Sequence, residues 1–231
     1  MADLLQELAD LVDARARARG DRPGACLVGL AGGVAAGKST LARQLAAALP
    51  ARVEVVATDG FLKSNAELEA AGLSARKGFP ESYDWPVLHG FLADLAEGRP
   101  AASPVYSHVT YDIAPEETLV VPPADIVIVE GINTLQTPEA RARYDLSVYL
   151  DADPDHVRAW FEARLESIAA SEPDSFIARV GDVERRRLVI DHAWREINLV
   201  NLRDHIAPTA AFADVVARKG PDHGLLAVER R

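Results

Sequence analysis

The run Gly32-Gly33-Val34-Ala35-Ala36-Gly37-Lys38-Ser39, with Thr40 next, has the spacing G-x-x-x-x-G-K-[ST]. Glycines at these positions let successive backbone N–H groups turn inward around phosphate oxygens. A helix opening at Ser39 would aim its positive end at the same anion. Lys38 supplies a point charge for β- and γ-phosphates, and the Ser39 hydroxyl is of the type that binds Mg²⁺. Asp59 sits in Thr58-Asp59-Gly60-Phe61. A carboxylate so placed can accept a hydroxyl proton and orient that oxygen in line with phosphorus, or it can be an N-cap or turn aspartate. Glu130 closes the apolar run 126–129 and reads either as a Mg²⁺-holding acid or as an ordinary strand end. Arg158 and Arg164 follow Asp151-Ala152-Asp153, where each is a lid arginine for the transferring phosphate or a solvated residue. Tyr106, His108 and Tyr111 cluster in a turn-rich stretch as a candidate polar binding wall.

These residues need strands that end together. Ala25 to Ala31, Val53 to Ala57, Ile126 to Val129 and Leu146 to Leu150 are short apolar runs, as strands buried on both faces are. Helical spacing fits Ser39 to Leu49, Trp85 to Glu97 with Asp84 as N-cap, Pro154 to Ser171 after Asp153, and Val183 to Asn198. Leu4, Leu5, Leu8, Leu11 and Val12 give an amphipathic opening helix, ended by the breakers from Gly20 to Gly24. Gly72 to Ser107 is rich in turn residues, and Asp214 to Ala217 with Leu225 to Val228 read as a closing hairpin. Alternating strands and helices predict a mostly parallel α/β sheet of P-loop NTPase type, with helices on both faces and a small helical lid over about 152–200. In such sheets ligands bind at the carboxyl ends of the strands. One kinase domain over 1–231, with residues 1–22 as an N-terminal helix, is expected.

The chain has 231 residues and a net charge of -10, which argues against nucleic acid as partner. The lone cysteine, Cys26, lies in an apolar run and excludes an internal disulfide. No apolar stretch approaches the ~20 residues of a membrane span and no signal-peptide pattern opens the chain, so a cytoplasmic protein is expected. The histidines show no metal-ligand spacing. A guanine-reading Asn-Lys-x-Asp is absent, which favours ATP over GTP. The residues alone leave open a kinase for a hydroxyl acceptor and a nucleotide-sensing protein; Asp59 argues against the sensor, which needs no base.

Several strings together resemble the bacterial type I pantothenate kinases, of the P-loop group that includes uridine kinases and phosphoribulokinases. They are Gly32 to Thr40, Thr58 to Leu62, Lys77 to Asp84, Pro104 to His108, Val129 to Asn133, Asp174 to Phe176 and Ile197 to Leu202. The resemblance implies ATP and Mg²⁺ as cofactors, pantothenate as acceptor in the first step of coenzyme A synthesis, and a homodimer. It implies Asp59 as base, Lys38 and Arg164 on the phosphates, and His223 near the base of the nucleotide. It implies Tyr106, His108 and Asn201 on pantothenate, with Tyr111 and Phe161 beside them, and Arg43 and His108 on the feedback inhibitor coenzyme A. The family's aromatic wall is altered: Leu165, Ile168, Ile177 and Val180 stand where aromatics are usual, and most of the family's N-terminal extension is missing. A nucleoside, sugar or glycerate hydroxyl is the alternative acceptor.

Overall fold

The structure is a computed structural model that describes residues 2–107 and 109–231. In chain order it has α1 (Ala2–Ala18), β1 (Cys26–Gly32), α2 (Lys38–Ala48), β2 (Val53–Ala57), α3 (Asn65–Ala70), α4 (Trp85–Ala96), β3 (Ala101–Ser107), β4 (Asp112–Val121), β5 (Ile126–Glu130) and α5 (Pro138–Arg141). Then come β6 (Leu146–Ala152), α6 (Pro154–Ser171), α7 (Phe176–Arg179), α8 (Val183–His192), β7 (Val215–Lys219) and β8 (Leu225–Arg230).

The main sheet has the order β2-β5-β1-β6-β7-β8. β2 through β7 in that order pair in parallel, and β8 closes one edge antiparallel to β7. β1 and β5 are buried along their whole length, as expected of apolar runs covered on both faces. One apolar cluster joins α1, α2 and α6 to the sheet, with Leu8, Leu45, Ile128, Val148 and Phe161 in it. A second, with Phe61, Leu88, Leu92 and Val127, packs α4 on the other face.

Register sets where the strands end. Leu30 pairs with Glu130, and Ala57 pairs with Glu130 from the other side. Gly32 pairs with Leu150, and Ala152 with Lys219. The loop after β1, the turn after β2, and the ends of β5, β6 and β7 therefore share one edge of the sheet.

The expected strands and caps are found, with two departures. Residues 101–121 form a hairpin, β3 with β4, where the sequence offered only turns. Most of β4 is exposed and includes Pro115, Glu116 and Glu117, so no alternating apolar pattern marks it. Its register shifts between Pro104 and Val105, where Pro104 has no N–H to give the ladder. The second departure is the long helix expected over Val183 to Asn198. It is α-helical only to His192 and then π-helical over Ala193–Asn198 and again over Leu202–Ile206. Wider turns of this kind recur at functional sites, and Asn201 lies between them.

Asp84 caps α4 by accepting from Val87 N, and Asp153 caps α6 by accepting from Asp155 N. Cys26 is buried at the start of β1, and burial, reinforced by Asp145, pushes its thiol up to about 12. At pH 8 the native protein should therefore react with a thiol-specific reagent far more slowly than the urea-unfolded chain. Equal rates of thiol release would show that Cys26 is accessible and that this edge of the core is loose.

Candidate active site

The loop between β1 and α2 has the conformation its glycines allow. Gly32 and Gly37 have φ of 151° and 96°, and Ala35 has φ of 56°. Gly37 is the residue before the first turn of α2, so the N–H groups that open this helix face the loop. Lys38 is only 8% exposed, and its Nζ donates to the Gly33 carbonyl at 2.9 Å. Burial pushes this ammonium below its ordinary pKa, while the charges of Glu130 and Asp59 oppose that shift. Ser39 Oγ donates to Glu130 Oε1 at 2.6 Å, which joins the loop to the end of β5.

Asp59 lies in a single 3₁₀ turn, Thr58–Phe61, directly after β2. Its charge acts on Lys38, Lys77, Tyr83, Tyr106 and Tyr111. Close packing seats this turn. A side chain at Gly60 would run into the Pro104 carbonyl of β3, and one at Gly131 into the Thr58 hydroxyl. The hairpin is thereby pressed onto the Asp59 turn and carries Tyr106 and Tyr111 toward it. Their rings lie 6.1 Å apart at 70°. His108 falls outside the described residues.

Lys77 joins this cluster, although no spacing rule in the sequence marks it as a site residue. Its Nζ donates to Asn65 Oδ1 and to the Tyr111 carbonyl, each at 2.5 Å, and sits 5.1 Å from the Tyr106 ring centroid and 5.2 Å from that of Tyr111. Tyr111 holds a left-handed φ of 58°, and Asn65 Nδ2 also donates to its carbonyl. Only tertiary pairing could reveal this group, because Asn65, Lys77 and Tyr111 belong to separate elements.

Asn201 is buried, with its Nδ2 on the Gly78 carbonyl at 2.9 Å. Asn133 gives the same carbonyl a second bond at 2.8 Å. The two carboxamides fix the loop that carries Lys77, and Asn201 keeps an unpaired buried Oδ1. The buried Tyr83 phenol is bonded by the Thr58 and Asn133 side chains, which oppose the rise that burial imposes on it.

Helix α6 separates its arginines. Arg158 is taken up by Glu162 and Asp191 at 2.8 and 2.7 Å. Arg164 borders the same cleft as the phosphate loop, and its charge acts on Lys38 and Tyr111. Phe161 points elsewhere: it is buried in the core, 6.0 Å from the Trp194 ring. The lid aromatic that meets the hairpin is Phe176, 6.3 Å from Tyr111. The cleft, of ≈ 950 Å³, is also bordered by Thr40, Arg43, Trp160, Lys219 and His223. His223 has φ of 64°, and its ring lies 4.4 Å from that of Trp160.

Residues 27–161 match the model of the Phosphoribulokinase / Uridine kinase family. The chain is 44% identical over 224 residues to a pantothenate kinase of Afipia carboxidovorans, a match covering 88% of this chain and 70% of the relative. It is 45% identical over 219 residues to a pantothenate kinase of Streptomyces avermitilis, covering 85% of this chain and 66% of that one. The chain belongs to the phosphoribulokinase / uridine kinase family and to its pantothenate kinase branch. Among solved structures, one described as a fructose transport system kinase of Silicibacter sp. TM1040 aligns with a TM-score of 0.68 and 26% identity. That alignment covers 90% of this chain and 94% of the other. A D-glycerate 3-kinase of Cryptococcus neoformans shares the fold, with a TM-score of 0.72 at 16% identity. The P-loop kinase fold and a phosphotransferase activity follow from this membership.

Gly131 is what lets the Thr58–Phe61 turn sit against the end of β5. Gly131→Ala should push Thr58 and the Asp59 turn outward. Turnover should fall at least ~10-fold, as small misplacements of reacting groups are costly, while binding of ADP changes less than threefold. Unchanged turnover in a steady-state assay would show that this packing does not position Asp59.

Proposed function

We propose that this protein transfers the γ-phosphate of ATP to the primary hydroxyl of pantothenate, forming 4′-phosphopantothenate. The observation that carries the reading is that the charge of Asp59 reaches two differently equipped groups of side chains. One holds Lys38, Ser39 and Arg164, suited to a phosphate chain. The other holds Lys77, Tyr106 and Tyr111, suited to a small acceptor that carries a negative charge. Burial raises the Tyr106 phenol well above its usual range, so it acts as a neutral hydrogen-bonding group. Pantothenate has a hydroxyl, an amide and a carboxylate, and the names of the relatives favour it.

In this reading Asp59 accepts the proton of the acceptor hydroxyl as its oxygen attacks the γ-phosphorus. Lys38 and Arg164 take up the charge on the transferring group. The Ser39 hydroxyl and the Glu130 carboxylate, already 2.6 Å apart, are the hard oxygen donors that would hold Mg²⁺. That ion would neutralise charge on the β- and γ-oxygens. Asn201 holds the Lys77 loop with one amide hydrogen and offers its unpaired Oδ1 as an acceptor. The family pattern adds His108 to the acceptor contacts, and adds His108 and Arg43, the latter bordering the cleft, to those for coenzyme A as feedback inhibitor. The family pattern supports a homodimer working in the cytoplasm, and no helix among the described residues is long and apolar enough to cross a membrane.

A sugar acceptor is the second reading, because the fructose-transport-system relative aligns over nearly its whole length. ADP release should be measured with pantothenate, fructose, uridine, glycerate and ribulose 5-phosphate. Pantothenate is expected to give the highest kcat/KM. A rival better by tenfold, about 1.4 kcal/mol in transition-state binding, overturns the acceptor while leaving the kinase intact. Asp59→Asn keeps the side-chain shape but cannot accept the proton. Its kcat should fall by ~10²-fold or more, with ATP affinity unchanged within a few-fold. Loss of ATP affinity with normal turnover of the bound fraction would make Asp59 a binding residue instead.

A further inference from the structure

Lys219 has no part in the reading above, yet it lies against the phosphate loop. It ends β7 opposite Ala152, on the strand edge that carries the site. Its Nζ donates to the Ala36 carbonyl at 2.7 Å. The ammonium occupies the space where a side chain at Gly37 would otherwise stand, so Gly37 serves two ends: its left-handed φ and this approach. The Trp160 ring covers it from the other side, with the centroid 4.7 Å from Nζ.

The charge is half-buried, and no carboxylate pairs with it among the described residues. Burial lowers its pKa, and the charge of Lys38 lowers it further. Lys38 and Lys219 are each bonded to a loop carbonyl, but Glu130 and Asp59 offset the charge of Lys38 while Lys219 feels only its repulsion and its own burial. A half-buried ammonium beside a like charge gains from an anion within its reach. An ammonium has three donors, and the Ala36 carbonyl satisfies one.

We propose that Lys219 is a second phosphate-binding cation, which turns from the Ala36 carbonyl to the phosphate chain of the bound nucleotide, with the Trp160 face holding it in place. This inference rests on the nucleotide reading of the cleft. It differs from a purely structural role, in which Lys219 only braces the loop.

The test compares affinities for ADP and adenosine, each by competition against a fluorescent ADP analogue, in wild type, Lys219→Met and Lys219→Arg. A charge-assisted bond to phosphate predicts that Lys219→Met weakens ADP ~10–100-fold, changes adenosine less than threefold, and that Lys219→Arg recovers most of the loss. Equal weakening of both ligands, or no change in ADP, overturns the proposal and leaves a loop brace or a bystander. The ratio of the two affinities within one variant stays informative even where its stability is reduced. If the wild type binds neither ADP nor its analogue, the nucleotide reading itself fails, and with it this inference.

Discussion

The site depends on keeping the Lys38 ammonium charged while it is buried. Only 8% of this residue is exposed, and burial alone would favour its neutral form. Three things oppose that: the Gly33 carbonyl, the carboxylate of Glu130, and that of Asp59. Each comes from the end of a different parallel strand. β1 supplies the loop, β5 the glutamate, and β2 the aspartate, and the order β2-β5-β1 puts the three side by side. In the proposed reaction the acids that keep Lys38 charged are also the groups that take the proton and hold the metal ion, so one arrangement would serve electrostatics and mechanism. The register that pairs Ala57 and Leu30 with Glu130 leaves little freedom in where those groups meet.

Around this centre the fold uses close backbone approach more than side-chain bonding. Gly60 admits the β3 carbonyl of Pro104, Gly131 admits the Thr58 hydroxyl, and Gly37 admits the Lys219 ammonium. Each glycine lies beside a residue of the site, and each joins elements that are distant in sequence. The Gly78 carbonyl has the opposite role, as a fixed acceptor for Asn133 and Asn201. It links the loop after β5 to the helical segment after the lid through the loop that carries Lys77.

The donor side of the site was legible in the sequence because it is local. Gly32 to Thr40 carries loop, helix start and lysine in one string, and Asp59 and Glu130 each follow an apolar strand directly. The acceptor side was less legible. Tyr106 and Tyr111 could be named, but the hairpin that presents them has no alternating pattern, since most of β4 faces solvent. Lys77 acquires its place from Asn65 and from the Tyr111 carbonyl, which no spacing rule connects. Phe161 has the right residue type on the right helix, but helical phase turns it into the core against Trp194, and Phe176 stands at the hairpin in its place. Lys219 was invisible for the same reason: its meaning comes from the pairing of β6 with β7.

Fold alone does not fix the acceptor, since solved structures of this fold include a D-glycerate 3-kinase. In the proposed reaction one edge of the sheet moves a phosphoryl group from ATP to an acceptor hydroxyl at Asp59. Phosphorus NMR of a reaction containing ATP, Mg²⁺ and pantothenate tests this most directly. The account predicts a phosphomonoester resonance, split by an adjacent methylene, that grows in step with ADP. Growth of inorganic phosphate in its place, with no ester signal, would contradict it.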